Sequence, residues 1–240
     1  MPAFVLMGSG EFTPWAEEAD RWALDNATIS SDRVLVVPAA SAPEGDEVFD
    51  NWARMGIAYF SGFGVRPELL DIRSRGDADD PAIARRAEGA RYIFFSGGNP
   101  SVLADTLRGT ATWKAIREAV AAGAALGGCS AGMVALGVSA PDAANGGPSS
   151  DGLRLFTKGY FGAHWNMLDQ WVPGLTRRIL EAWPKDAILF ACDEDTAACG
   201  DGTQWHVVGS GGLTIPSEEG LERLVAGTDV TVPLGLDLGA

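Results

Sequence analysis

Histidine and cysteine are scarce in this sequence, and positive charge falls far short of negative. Only two histidines, His164 and His206, are available to any acid–base chemistry. Three cysteines, Cys129, Cys192 and Cys199, form an odd set with no C-x-x-C or other common zinc spacing. That pattern argues against a disulfide framework and reads as reduced thiols in a cytosolic protein. Eighteen Lys and Arg against 32 Asp and Glu leave a net charge of −14, which repels phosphate backbones and anionic headgroups. Neither nucleic acid nor a membrane surface is therefore expected as a partner. The opening MPAFVLMGSGEF has no basic n-region and no small-residue cleavage site, so it reads as a first strand, and a cytoplasmic location is expected. Apolar runs long enough to span a bilayer without interruption are missing as well. Ala119 to Ala140 carries no charge, but Gly123, Gly127, Gly128, Gly132 and Gly137 break it. The stretch divides into a helix end, a short buried strand, a tight turn and a new helix, not a membrane span.

What is present suits one large core. With 240 residues, 46% of them hydrophobic, residues 1–240 are read as a single α/β domain. Short β-rich runs alternate with helical patterns, the signature of a parallel sheet with crossover helices. Strands are expected near Phe4 to Met7, Val34 to Pro38, Val65 to Asp71, Tyr92 to Ser96 and Ala124 to Cys129. Helical spacing or start signals fall at Trp15 to Asp25, Glu44 to Phe60, Pro81 to Ala87, Pro100 to Leu107 and Thr112 to Ala121. Val34-Leu35-Val36-Val37 and Tyr92-Ile93-Phe94-Phe95 are continuously apolar, as strands covered on both faces should be. The expected architecture is three-layered: a mostly parallel central sheet with helices on both faces. Pro141 to Asp151, rich in Pro, Asp, Asn, Gly and Ser, reads as a long exposed loop. Beyond it a helix is expected from Gly174 to Trp183, a strand around Ala187 to Cys192, and a C-terminal hairpin over Gly200 to Ile215 with turns at Asp201-Gly202 and Gly209 to Gly212.

The most informative residues are Gly128-Cys129-Ser130-Ala131-Gly132, a G-x-S-x-G between an apolar strand and a helix-capable run. In such an elbow the serine sits in a strained turn, and the flanking glycines let strand and helix approach closely. The hydroxyl is exposed, and the Ala131 N–H lies at a helix start where it can stabilise an oxyanion. A plain glycine-permitted βα turn would leave the serine unexplained. Cys129 as nucleophile would break the glycine frame, with Gly127 and Ala131 as its neighbours; as a buried apolar filler it needs no frame. A serine needs a base. His206 sits in an alternating hairpin-like stretch, whereas His164 follows the loop among aromatic residues, so His164 is the candidate base. The chain order nucleophile, acid, histidine then requires a carboxylate between Ser130 and His164, and only Asp142 and Asp151 qualify. Spacing favours Asp142.

Phe95-Ser96-Gly97-Gly98-Asn99, the Ser130 elbow, Ala163-His164-Trp165, Asp193-Glu194-Asp195-Thr196 and Val207-Val208-Gly209-Ser210-Gly211 together resemble the serine peptidase family of aspartyl dipeptidase and cyanophycinase, peptidase family S51. The likeness runs from Gly8-Ser9-Gly10-Glu11 to the last hairpin. It implies a class I glutamine amidotransferase-like fold and a serine, a histidine and an acid working without a cofactor or metal. It also implies Gly98 as the second oxyanion donor beside Ala131, and Asn99 at the substrate's edge. A Gly-Gly at a strand's C-terminal end can bring a backbone N–H close to a ligand. The expected partners are a small peptide substrate and, at most, a second copy of the chain in a homodimer.

Departures from the family bear on specificity. Gly162-Ala163 precede the histidine and Trp165 to Gln170 contain no arginine, so cleavage of cyanophycin is not expected. An N-terminal aspartate would need a cation near Ser130, for which Arg154, Lys158, Arg177 and Arg178 are the local choices. Trp165 and Trp171 read either as an aromatic pocket wall or as packing. Gly8-Ser9-Gly10 does not complete a dinucleotide fingerprint, because its third glycine would fall at Thr13. Asp193-Glu194-Asp195 reads as a solvated turn or as a carboxylate near the site. A glutamine amidotransferase-like enzyme using Cys129 and a catalytically silent binding protein of the same fold are the rival classes.

Overall fold

The computed structural model describes residues 2–142 and 149–239, so residues 143–148 of the expected long loop lie outside the described residues. The first half runs β1 (Ala3–Met7), α1 (Glu17–Asn26), β2 (Arg33–Val37), α2 (Asp46–Ser61), β3 (Arg66–Leu69), α3 (Arg75–Asp79), α4 (Pro81–Arg85), β4 (Tyr92–Phe95), α5 (Pro100–Leu107), α6 (Ala111–Ala121), β5 (Ala125–Cys129) and α7 (Ala131–Val134). The second half adds β6 (Ser139–Ala140), β7 (Ser150–Asp151), β8 (Gly159–Gly162), α8 (Leu168–Trp171), α9 (Leu175–Ala182), β9 (Ile188–Cys192), β10 (Thr196–Gly200), β11 (Gln204–Gly209), β12 (Gly212–Ser217), β13 (Gly220–Val225) and β14 (Asp229–Thr231).

Eight strands form the central sheet in the order β14-β11-β10-β1-β5-β4-β2-β3. The five strands β1, β5, β4, β2 and β3 are parallel, and β10, β11 and β14 extend the sheet antiparallel from β1. Alternation along the parallel strands divides the core in two. Phe4, Leu6, Leu35, Val37, Ile93, Phe95 and Leu126 face α4, α5, α6 and α7. Val5, Met7, Val34, Val36, Tyr92, Phe94 and Cys129 face α1 and the Phe60 end of α2. Both side-chain rows are buried, which is why these strands read as continuous apolar runs.

The expected hairpin is half right. Asp201-Gly202 turns β10 back into β11, but Gly209 to Gly212 carries the chain out of the central sheet. A second sheet, β13-β12-β9-β8, takes it up, with β8 and β9 parallel. This sheet packs on the same side of the central sheet as α5–α7: Phe190 of β9 meets Trp205 of β11, and Phe161 of β8 meets Phe156, which lies ahead of β8 and packs on Phe4 and Trp205. The Phe190 and Trp205 rings lie 5.1 Å apart and those of Phe4 and Phe156 4.9 Å. Among the described residues no helix is long and apolar enough to cross a membrane, and the Ala119 to Ala140 stretch divides as its glycines suggest.

One buried ionisable group crosses the other core. Asp20 on α1 is fully buried and accepts hydrogen bonds from Tyr92 Oη at 2.8 Å and Tyr59 Oη at 2.9 Å. Burial pushes its carboxyl up to about 7, against the opposing pull of the two tyrosines. In the unfolded chain the same carboxyl ionises near its ordinary value of 3.8. The unfolded state therefore binds fewer protons between these values, and stability falls as pH rises from about 4 to about 7. Asp20→Asn is expected to remove that slope. Denaturant melts of wild type and variant across this window should converge at the acid end and diverge in favour of the variant toward neutrality.

Candidate active site

The site starts from a steric necessity. β5 and α7 meet so closely that a Cβ at Gly128 would stand 2.6 Å from the Gly132 carbonyl carbon, and one at Gly132 would stand 2.2 Å from Phe95 O on β4. Only glycine fits at either place, and the residue between them is forced to φ 50°, ψ −113°. That residue is Ser130. Strain of this kind in a non-glycine residue persists only where the surroundings over-determine it. The Ser130 N–H donates to Met7 O at 3.0 Å, tying the elbow to the end of β1.

β4 ends beside β5, with Phe95 opposite Gly128, so Gly97 and Gly98 emerge next to the elbow. Gly98 has φ 136°, and a Cβ there would strike Ala40 C and O at 2.4 Å. Its neighbours' amides are used: Gly97 N–H donates to Glu11 Oε1 at 2.7 Å and Asn99 N–H to Ala40 O at 2.9 Å. The N–H groups of Gly98 and Ala131 have no acceptor among the described residues.

The second sheet brings the imidazole. His164 stands two residues beyond β8 with φ 50°, and its Nε2 lies 2.8 Å from Ser130 Oγ. Its Nδ1 meets Glu194 Oε1 at 3.1 Å. Because β8 and β9 are parallel with Gly162 opposite Ala191, the residues just past both strands emerge side by side. Glu194 is steadied by its own N–H, which donates to Asn166 Oδ1 at 2.9 Å. The carboxylate at His164 is thus Glu194 rather than Asp142 or Asp151. Asp142 Oδ1 accepts from Asn99 Nδ2 at 2.7 Å, and Asp151 pairs with Arg154 at 3.1 Å. Along the chain the three hydrogen-bonded groups run Ser130, His164, Glu194, so the carboxylate that meets this imidazole follows the histidine instead of preceding it.

A hydroxyl, an imidazole and a carboxylate stand in one hydrogen-bonded line, near two amides that have no acceptor among the described residues; such a line can serve acyl transfer. The model of peptidase family S51 matches residues 4–205. The chain belongs to peptidase family S51. It is a serine peptidase by that membership. A peptidase from an acI-B1 Actinobacterium has the same architecture, with a TM-score of 0.87 at 29% identity over 97% of each chain. A peptidase E candidate from Listeria monocytogenes EGD-e superposes with a TM-score of 0.61 at 21% identity, covering 87% of this chain and 98% of the other. No curated protein sequence matches the chain.

The other residues singled out in the sequence take different places. Asn99 is buried, and its Oδ1 caps α5 by accepting from Ser101 N–H at 3.1 Å and Ser101 Oγ at 2.9 Å. The Trp165 ring packs on Gly162, whereas Trp171 places its ring 5.1 Å from that of His164. Arg154, Lys158, Arg177 and Arg178 are all exposed, and Arg154 and Arg177 pair with Asp151 and Glu181. His206 sits on β11 with Nδ1 2.7 Å from Asp229 Oδ1. Cys129 is buried, as expected of a filler, but its Sγ donates to Glu11 Oε2 at 2.8 Å. Burial and the Glu11 carboxylate push this thiol well above its ordinary value, the reverse of what an attacking thiolate needs. Sequence reasoning did not anticipate the contacts of Glu194 with His164 or of Glu11 with Gly97 and Cys129; the available signal was that each follows a strand's C-terminal end.

Gly132→Ala drives a methyl into the Phe95 carbonyl and should destabilise the fold by about 1–3 kcal/mol, the usual range for overpacking. A thermal melt unchanged from wild type would show that β4 and α7 can separate without loss.

Proposed function

We propose that this S51 peptidase hydrolyses small peptides, in exopeptidase or dipeptidase fashion, with Ser130 as nucleophile, His164 as general base and Glu194 as the carboxylate that orients the imidazole. The observation that carries the reading is the unbroken line from Ser130 Oγ through His164, 2.8 Å at Nε2 and 3.1 Å at Nδ1. His164 takes the hydroxyl proton as Oγ attacks the peptide carbonyl. Negative charge then develops on the carbonyl oxygen, and the Gly98 and Ala131 N–H groups are the donors available to hold it. Glu194 keeps Nδ1 protonated and offsets the charge of the imidazolium. The same imidazolium gives its proton to the leaving amine, and water, deprotonated by His164, releases the acyl group. Small substrates are what the family resemblance implies.

Exposure to a fluorophosphonate followed by peptide mapping tests the nucleophile. A single adduct on Ser130 is expected, retained in Cys129→Ala and lost in Ser130→Ala; an adduct on Cys129 would replace the serine mechanism with a thiol one. For the acid, Glu194→Gln should lower kcat on a cleaved dipeptide by about 100- to 10,000-fold, as loss of a triad carboxylate does. Asp142→Asn should have a much smaller effect. The opposite ranking would return Asp142 to the role of orienting acid.

A further inference from the structure

We propose that Glu11 is a positioning residue of this peptidase: its buried carboxylate clamps the Gly97-Gly98 turn to the strand that delivers Ser130. The inference rests on the reading of Ser130 as nucleophile and Gly98 as oxyanion donor. Glu11 is 6% exposed and lies just after β1, between the ends of β4 and β5. Its two oxygens engage the turn after β4 and the end of β5. Oε1 accepts from Gly97 N–H at 2.7 Å, and Oε2 accepts from Cys129 Sγ at 2.8 Å. Each donor directly precedes a proposed working group, since Gly97 precedes Gly98 and Cys129 precedes Ser130. A planar carboxylate held at both ends therefore sets the spacing between the oxyanion turn and the elbow.

The clamp also selects which amide faces the substrate. With Gly97 N–H turned onto Glu11, the next amide, Gly98 N–H, is the one left without an acceptor among the described residues. The space is tight enough to transmit a change, because a Cβ on Gly97 would stand 3.1 Å from Glu11 Oε1 and 3.7 Å from Ser130 Cβ.

The loop bearing Glu11 reaches the third working segment as well. Asp195 N–H donates to Ser9 Oγ at 3.2 Å, and Gly8 N–H donates to Thr196 O at 2.9 Å. Among the described residues, five non-glycine residues have positive φ: Phe12, Ser130, Arg154, His164 and Asp195. Four of them are, or directly follow, Glu11, Ser130, His164 and Glu194. Strain concentrates where a scaffold holds functional groups, and Glu11 shares that pattern with the three groups of the hydrogen-bonded line. Glu11 acts through Gly97 and Cys129 and does not touch the reacting atoms.

Fluorophosphonate labelling of the full chain, resolved into kinact and KI, tests the clamp. Glu11→Ala should lower kinact by about 10- to 100-fold through a displaced oxyanion donor, with KI within about three-fold of wild type. Glu11→Gln keeps an acceptor for Gly97 N–H but loses the charge-assisted bonds, so it should recover to about 3- to 10-fold below wild type. A residue that only supported the fold would lower the melting temperature and leave kinact of the folded protein unchanged. Wild-type kinact in folded Glu11→Ala, or in Glu11→Gln should the alanine variant not fold, overturns the clamp. Wild type without a Ser130 adduct overturns the nucleophile reading and the clamp together. An adduct that is lost in Ser130→Ala and formed at wild-type rate in the Glu11 variants overturns the clamp alone.

Discussion

The closeness of β5, α7 and β4 is the constraint around which the molecule is arranged. Glycine at 128 and 132 lets the three backbones approach, and the price of that approach is the φ of 50° at Ser130. Such a conformation survives only if neighbouring strands leave the turn no room to relax. Burial of Phe95 and Leu126 against the helices on one face, and of Val5 and Cys129 on the other, supplies the rigidity. The elbow's place beside β1 and β4 follows, and with it the position of every group that must meet the hydroxyl.

The partners of Ser130 arrive from a different layer. β8 and β9 belong to the second sheet, yet β9 leads straight into β10 of the central one. The site lies at that joint. His164 and Glu194 project from the ends of two parallel neighbours, while Ser130 and Gly98 project from the ends of two others. Open α/β sheets place their chemistry at the carboxyl ends of strands, and here two sheets contribute such ends to one point. The aromatic packing of Phe190 on Trp205 and Phe4 on Phe156 holds them in register.

How much of this was legible depended on how local each signal was. The five parallel strands and the main helices of the first half were readable from apolar runs and caps, because both faces of the sheet are covered and the pattern is continuous. The elbow was readable because its glycine spacing reflects a collision only a few residues away. β8 went unread: Gly159 to Gly162 is short and carries two glycines. The turn at Gly209 to Gly212 looked like a hairpin because glycine-rich turns look alike whether a strand returns to its own sheet or leaves for another.

The acid at His164 shows where local reading ended. Asp142 and Asp151 were favoured by their position between serine and histidine, and chain order is a property of one dimension. Glu194 lies 30 residues beyond His164 and reaches it only because β8 and β9 pair in parallel. Glu11, farther still from the elbow in sequence, reaches Cys129 because β1 lies next to β5. The sequence by itself determined the parallel sheet, the strained serine and the choice of His164 as its candidate base, since each follows from short-range sterics or a scarce residue type. Tertiary structure alone decided which carboxylates stand at the site, because strand pairing brings together residues whose separation along the chain carries no information about distance.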